Sequence, residues 1–513
     1  VSWSRYKKDN QEKYIAHAVS VERLSVQTKA GYRIVADHRP QNPGKPIRIW
    51  LDQERSPMNA AFRPPTPPRT EYSPVGTIRL TDYIAYFKAM RRNPLEVWGD
   101  HHYQLRIAPF RFLGRKSLMI NDPEAIHHCF VSNVKNYRMQ AIRQAVLRPF
   151  LRDGLLTAEG EVWKTARHAV APIFTPRRIN AFAPRILSVV EAATDQLQGR
   201  AGQSISLSRL MVDLTLDILI ETLFSGDKAL DKERFTRNIN RLIEITGIPH
   251  PLDLIAAPHW VPRIGHGGSR QVIQDLRDQV AAIAAQRRAE TGTDDKDQPV
   301  DFLDLLLGSG LEEAAIIDNL LTFLAAGHET TARSLSWTLY LLSQSDDVRQ
   351  RLEDELDGAK LDPDNPADWL NALPWTLAVI KESLRLYPSA PVLTRTSNAD
   401  DTVGGHAISA DTEIIVSTWI LHRHPDLWPD PDSFRPERFF GDAEQSIPRD
   451  AYLPFGLGPR VCIGARFAMM EMVIVLARLL KRFRFEHVGA HPVPVMKITL
   501  QPDTELPMRL VQR

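Results

Sequence analysis

Between residues 312 and 343 the chain has few helix breakers, which predicts more than thirty residues of helix. A rod of that length sets the frame against which the other elements must pack. Helical periodicity also marks 181–200, 205–224, 231–246, 269–290, 346–358, 374–387 and 465–482. Strand-like runs are short: an alternation over Tyr103–Ile107 and a run Ser117–Ile120 separated by Gly114, then 392–396, 402–408, 412–417 and a last pair near 493–510. Asn121-Asp122-Pro123-Glu124 reads as a helix N-terminus, a capping side chain followed by proline in the first turn. The reading is a mainly α, α-rich α+β fold with small sheets and no internal repeat.

The first 74 residues differ from the rest. Pro40, Pro43, Pro46, Pro57, Pro64, Pro65, Pro67, Pro68 and Pro74 fix φ and remove amide donors, so an extended linker or surface-wrapping arm is expected, with a short helix or strand pair before it. Residues 1–74 are therefore taken as an arm and 75–513 as the main domain. Lys plus Arg (64) nearly balances Asp plus Glu (62), giving +2 and no global field for nucleic acid. Two cysteines, Cys129 and Cys462, exclude a disulfide framework or a four-cysteine zinc site and fit a reducing compartment. No apolar run reaches the ~18–20 residues of a membrane span, and the first residues lack a secretory core, so a cytoplasmic protein without a transmembrane anchor is expected.

The densest chemistry lies in Pro454-Phe455-Gly456-Leu457-Gly458-Pro459-Arg460-Val461-Cys462-Ile463-Gly464, a glycine- and proline-rich loop that leads into an apolar-periodic helix. A thiol at a helix N-terminus meets the positive end of the macrodipole, which favours the thiolate that ligates metal. Gly458 and Gly464 would let backbone approach a flat cofactor, and Arg460 would reach a carboxylate on it. A lone cysteine is more often a buried structural thiol. Here the spacing F-x-x-G-x-R-x-C-x-G over Phe455, Gly458, Arg460, Cys462 and Gly464 decides otherwise, since a chance match arises in about one in 10⁴ chains of this size.

That loop resembles the haem-ligand signature of the cytochrome P450 family, and further segments resemble the family in the right order. Ala326-Gly327-His328-Glu329-Thr330-Thr331 is similar to its oxygen-activation motif. Glu382-Ser383-Leu384-Arg385 with Phe434-Arg435-Pro436-Glu437-Arg438-Phe439 is similar to its E-x-x-R and P-x-R-F segments, and Trp163-Lys164-Thr165-Ala166-Arg167 to its W-x-x-x-R. On physical grounds alone, Gly327 inside a helix marks a local opening or kink where another molecule approaches, and an acid followed by an alcohol can deliver protons. A solvated Glu-Thr pair and a core Trp are the bland alternatives.

The resemblance implies a triangular helical body with a long central helix, haem lying between that helix and the cysteine-loop helix. It implies non-covalent haem b ligated by the Cys462 thiolate, with O2 as co-substrate and position 326 alanine rather than a haem-esterifying glutamate. It implies Glu329 and Thr330 as the proton-delivering pair. Trp163, Arg167, Ala326, Gly327, Arg395, Phe455, Arg460 and Gly464 become cofactor contacts, and Glu382, Arg385 and Arg438 a buried structural ion network. Leu320, Phe323, Leu324, Val392 and Leu393 are expected to line the substrate site, with 248–262 as a lid that can touch a membrane surface. The implied reaction inserts one oxygen atom into a hydrophobic small molecule, using electrons from a separate ferredoxin or flavodoxin docked on a basic patch of Lys164, Arg460 and Arg466. The expected chain is a monomer of the soluble bacterial type. A peroxide-driven peroxygenase or isomerase, and a non-catalytic haem- or ligand-binding protein, are the alternatives. Paired histidines (His101-His102, His127-His128, His422 and His424) lack the acidic or cysteine partners of a zinc site.

Overall fold

The computed structural model describes residues 23–27, 32–37, 49–53, 61–69, 80–112, 115–226, 231–246, 269–290 and 301–513. The chain divides into two units, Val1–Ala61 and Phe62–Arg513. In the first, β1 (Arg23–Gln27), β2 (Tyr32–Asp37) and β3 (Ile49–Gln53) form an antiparallel sheet in that order, with Arg23 opposite Asp37 and Tyr32 opposite Gln53. The third strand falls inside the proline-dense stretch, where residues 47–56 are free of proline and can pair.

Residues 62–69, read from their prolines as part of the arm, lie in the second unit. Pro64 and Pro67 are buried there, Phe62 O accepts the Phe434 N–H (2.9 Å), and Phe62 packs edge-on to Tyr340 at 6.1 Å. A segment poor in amide donors can lie extended on a protein surface without leaving donors unsatisfied.

The second unit is helical. Its longer helices are α1 (Leu80–Arg92), α2 (Ala141–Leu151), α3 (Gly160–Val170), α4 (Ala183–Gln198), α5 (Leu207–Phe224), α6 (Lys232–Thr246), α7 (Ser269–Glu290), α8 (Glu313–Ser343), α9 (Asp346–Gly358), α10 (Pro374–Leu386) and α11 (Ala465–Arg482). A five-stranded sheet is built from β4 (Ile107–Phe112), β5 (Arg115–Ile120), β6 (Tyr137–Arg138), β7 (Leu393–Ser397) and β8 (Glu413–Val416), in the spatial order β4-β5-β8-β7-β6. Here β5 and β8 pair in parallel, Ile414 opposite Leu118, and the other neighbours are antiparallel. A second sheet joins Phe483–His487 and Ser204–Ser206 to the strand Pro507–Gln512. Local signals worked where side chains act on their own backbone. Asp122 accepts from Ala125 N (2.9 Å) ahead of Pro123, and Ser206 caps α5 through Arg209 N (3.2 Å).

The alternation over Tyr103–Ile107 misled. Asp100–Gln104 is helical and the strand begins at Ile107, because the Tyr103 hydroxyl is drawn into the core to accept the Trp419 indole N–H (2.9 Å). Helix α8 is a 31-residue helix buried on most faces: Leu335, Trp337, Leu339, Tyr340 and Leu341 are each at most 1% exposed, and polar Asp318, Asn319, Glu329 and Ser336 are buried on it as well. Among the described residues no helix is long and apolar enough to cross a membrane. The expected lid, 248–262, lies outside the described residues.

Candidate active site

The loop 454–464 presents one sulfur. Phe455 O accepts the Cys462 N–H (2.9 Å), and Gly458 takes a left-handed φ of +72°. A Cβ at Gly458 would stand 2.0 Å from the Phe130 carbonyl oxygen. The close approach expected toward a cofactor is thus made to the turn at 128–132, and Gly458 fixes the loop there. Gly464 has φ −87° and room for a side chain, since a Cβ there would stand 3.9 Å from Phe174, so sterics do not require it. Its N–H donates to the Cys462 sulfur. Cys462 is solvent-accessible, yet protein crowded around the sulfur pushes its thiol up, opposed by the Gly464 N–H and by Arg167. The Gly464 N–H acts in the direction expected of the helix terminus, and a coordinated cation deprotonates such a thiol outright. Cys129 is fully buried, and burial raises its thiol to about 11.

Around this loop lies a group of arginines short of carboxylates. Arg460 donates to Ala158 O (2.7 Å) and lies over the Trp163 ring at 4.2 Å. Arg167, one turn on from Trp163 along α3, donates to Val461 O (3.3 Å). Arg395 on β7 donates to Thr394 O (2.8 Å) and covers the Phe130 ring at 4.7 Å. Burial, together with neighbouring guanidiniums, Arg143 among them, lowers Arg395 and Arg460 to about 10. Glu159 is the carboxylate whose charge acts on both. Arg143, on α2, lies within 138–156, where the resemblance places substrate contacts, but was not singled out because α2 carries no family motif. Its signal was a cation in the apolar run Ala141-Ile142-Arg143-Gln144-Ala145-Val146. An accessible thiol at a helix N-terminus, beside guanidiniums that have no ion-pair partner among the described residues, is a donor set that fits an iron porphyrin with two propionates.

Behind the loop the charges are closed. Arg385 grips Glu382 with two bonds (Nε–Oε2 2.7 Å, Nη2–Oε1 2.8 Å), and both side chains are 0% exposed. Arg385 also donates to the carbonyls of His422 and Pro431 (both 2.7 Å) and Ser433 (3.1 Å). Arg435 N donates to Glu382 Oε1 (2.8 Å), and Arg438 Nε stands 3.5 Å from the same oxygen. His422 completes a chain to the loop: its Nδ1 donates to Arg385 O (3.2 Å), which leaves Nε2 to accept Leu453 N–H (2.9 Å). Burial and Arg385 lower His422 to about 3, so it is neutral. No sequence motif pointed to His422, because its role depends on carbonyl groups that the fold brings to it.

On α8, Glu329 is buried and pairs with Arg333 at 3.5 Å. The Thr330 hydroxyl donates to Ala326 O (2.6 Å). The Thr330 carbonyl is met by Ser334 Oγ (2.8 Å) and Ser389 Oγ (3.0 Å), which also touch each other at 2.8 Å, tying α8 to the segment before β7. Ala326 is exposed in the middle of this otherwise buried helix, and Thr330, one turn on, is partly so. Gly327 points elsewhere. A Cβ on it would stand 3.2 Å from Leu219 of α5, Thr215 Oγ1 donates to His328 O (3.2 Å), and the helix runs unbroken from 313 to 343. Gly327 therefore allows close packing of α8 on α5.

The expected substrate-lining residues divide. Leu320 and Leu324 are 0% exposed, and Phe323 packs edge-on to Phe174 (5.3 Å) and Phe302 (6.1 Å), so these three belong to the core. Val392 and Leu393 are partly buried and Ala390 is exposed, so that segment offers an accessible apolar edge. In a helix buried on most sides, the sequence does not mark which apolar stripe faces open space.

The family model "Cytochrome P450" matches residues 102–506. The chain is 30% identical over 447 residues to the putative cytochrome P450 CYP13A7 of Caenorhabditis elegans, covering 77% of this chain and 82% of that protein. It is 32% identical over 405 residues to the chloroplastic protein LUTEIN DEFICIENT 5 of Arabidopsis thaliana, covering 74% and 67%. The crystal structure of the cytochrome P450 CYP102L1 superposes with a TM-score of 0.69 at 26% identity, over 80% of this chain and 95% of that one. Sequence, fold and donor set agree: the chain belongs to the cytochrome P450 family, the haem-thiolate monooxygenases that use haem b, a cysteine thiolate and O2.

Proposed function

We propose that this P450 hydroxylates, or oxidises in a related way, a hydrophobic small molecule, with Cys462 as the thiolate ligand and electrons from a separate ferredoxin- or flavodoxin-type protein. The haem, when bound, supplies the oxygen chemistry of R–H + O2 + 2e⁻ + 2H⁺ → R–OH + H2O. The observation that carries the reading is the accessible Cys462 set beside Arg167, Arg395 and Arg460, none of which pairs with a carboxylate among the described residues. Arg167, Arg395, Arg460 and the Trp163 indole N–H would hold the propionates, and Ala326 leaves space beside them on α8. Glu329 holds a proton source next to Thr330, whose hydroxyl relays it after leaving Ala326 O. Ser334 and Ser389 keep the Thr330 backbone in place while this happens. The apolar edge at Ala390, Val392 and Leu393 excludes water and orients the substrate.

The electron donor docks beside Val461, which is 37% exposed, with Lys164 and Arg167 nearby. Arg460 is turned inward to Ala158 O and leaves this patch, and Arg466 is spent on Asn180 Oδ1 (3.0 Å). Reduction by an acidic donor slows as salt rises; a rate independent of salt removes electrostatic docking. The reading as a whole is tested by the spectrum of the reduced, CO-treated protein. Thiolate ligation gives a strongly red-shifted Soret band, and an imidazole-type band refutes it.

A further inference from the structure

Near the C-terminus the strands Pro494–Met496 and Leu500–Pro502 form a two-stranded hairpin, Val495 opposite Gln501. A two-stranded hairpin is marginally stable alone, so whatever fastens its edges decides where it stands. The second strand is tied to the site described above. Leu500 N donates to Ser389 O (3.1 Å), just ahead of the apolar edge at Ala390, Val392 and Leu393, and Leu500 O accepts the indole N–H of Trp337 on α8 (3.2 Å). The turn between the strands carries Ile498, an apolar side chain 39% exposed.

The first strand is held by a side chain 401 residues back in sequence. Asn93, which follows α1, donates from Nδ2 to Pro494 O (2.8 Å) and accepts the Met496 N–H at Oδ1 (3.1 Å). Those two groups lie two residues apart on one edge of the strand, so the carboxamide takes the place of a neighbouring strand. Its Oδ1 also accepts the Leu95 N–H (3.2 Å), capping the short helical turn Pro94–Val97, and Asn93 is 2% exposed. Two N–H groups at the oxygen and a carbonyl at the nitrogen fix which way the amide faces. Its base is rigid: Pro94 holds Asn93 extended, and Leu95 and Val97 are buried. Serine would cap the turn equally well, but its single hydroxyl cannot span the strand as the carboxamide does.

We propose that Asn93 is a positioning residue that sets where this hairpin stands against Ser389, and so tunes which long apolar ligands the site accepts. The inference rests on the haem-thiolate reading above and adds to it a residue outside the haem motifs. Without the carboxamide the strand edge loses both bonds, and a ligand lying along the hairpin must order it on binding. A ligand too small to reach the hairpin is unaffected.

The test uses the full-length holoprotein and N93S, which keeps a cap for the Leu95 N–H and gives up both bonds to the hairpin. Soret titrations are run with imidazole and with 1-dodecylimidazole, two haem ligands that differ by an apolar tail. N93S is expected to bind imidazole as wild type does and 1-dodecylimidazole about fivefold more weakly. A merely structural role lowers the urea midpoint and leaves the affinity of the long ligand relative to the short one where it was. That relative affinity at or above its wild-type value overturns the proposal, whatever happens to stability, and equal weakening of both ligands does the same. Should N93S not fold, N93D, which keeps the acceptor for both amides and loses the donor to Pro494 O, is judged by the same ratio. The CO spectrum of the wild-type protein is recorded in parallel. Absence of the red-shifted band refutes the haem-thiolate reading and the proposal with it, whereas its presence beside an unchanged ratio refutes the role of Asn93 alone.

Discussion

Two sets of arginines differ in how their charges are met. Behind the loop, Arg385 spends its donors on Glu382 and three carbonyls, and both members of the pair are 0% exposed. Beside the loop, Arg167, Arg395 and Arg460 each reach a single backbone carbonyl, and Arg143 reaches no partner among the described residues, with Glu159 as the shared carboxylate. A closed network sets a shape and adds nothing to ligand binding. An open one remains strained until a ligand supplies the missing charge. The same residue type thus performs structural and ligand-directed work within one small region, and satisfaction of its hydrogen bonds tells which.

The largest effect that sharpens this contrast is at the sulfur. Cys462→Ser abolishes the red-shifted Soret band of the reduced CO complex, while Cys129→Ser keeps it, because Cys129 is fully buried in the core and Cys462 is accessible. Both spectra are read on purified protein, and equal loss in the two variants ends the assignment. Next comes the closed network. Glu382→Gln leaves a buried guanidinium uncompensated and lowers unfolding free energy by about 3–5 kcal/mol in urea titration. Arg460→Gln, which relieves repulsion in the open set, lowers it by less than about 1 kcal/mol. Similar losses at both positions would show that the two sets do not differ as described.

Thr330→Ala moves coupling rather than stability. Reducing equivalents are consumed, but a larger share appears as peroxide and a smaller share as product. An NADH-to-product ratio equal to wild type removes the hydroxyl from proton delivery. The smallest effect is in acid. His422 is lowered from 6.5 to about 3, so the unfolded chain takes up its proton first. Stability is therefore full above pH ~6.5 and declines as pH falls toward about 3, by at most ~1.4 kcal/mol per pH unit for this one group. His102 and His328, both lowered to about 4, act in the same window and direction. Urea titrations at pH 7, 6 and 5 should give a shallower slope for His422→Gln, and an unchanged slope excludes His422 as a contributor.

Much of this was legible along the chain because it depends on neighbours in sequence. The Asp122 cap, the span of α8 and the Glu382/Arg385 spacing on one helix face all follow from local periodicity and hydrogen bonding. Other features were not legible. Gly327 and Gly458 look alike as motif glycines, yet one makes room for Leu219 and the other for the Phe130 carbonyl, partners more than a hundred residues away in sequence. Leu320 and Leu324, expected to line the substrate site, are 0% exposed, because a helix buried on most faces carries no mark in sequence of which apolar stripe is covered.

By itself, then, the amino-acid order determined the kind of chemistry, since a thiol, an acid–alcohol pair and an E-x-x-R were each set within one loop or one helix turn. Only the tertiary structure decided which charges are closed and which are left open: His422 bridging Arg385 to the loop, and Arg143 with no partner among the described residues. Hydrogen bonds and ion pairs are satisfied in three dimensions, by groups that chain distance does not bring together.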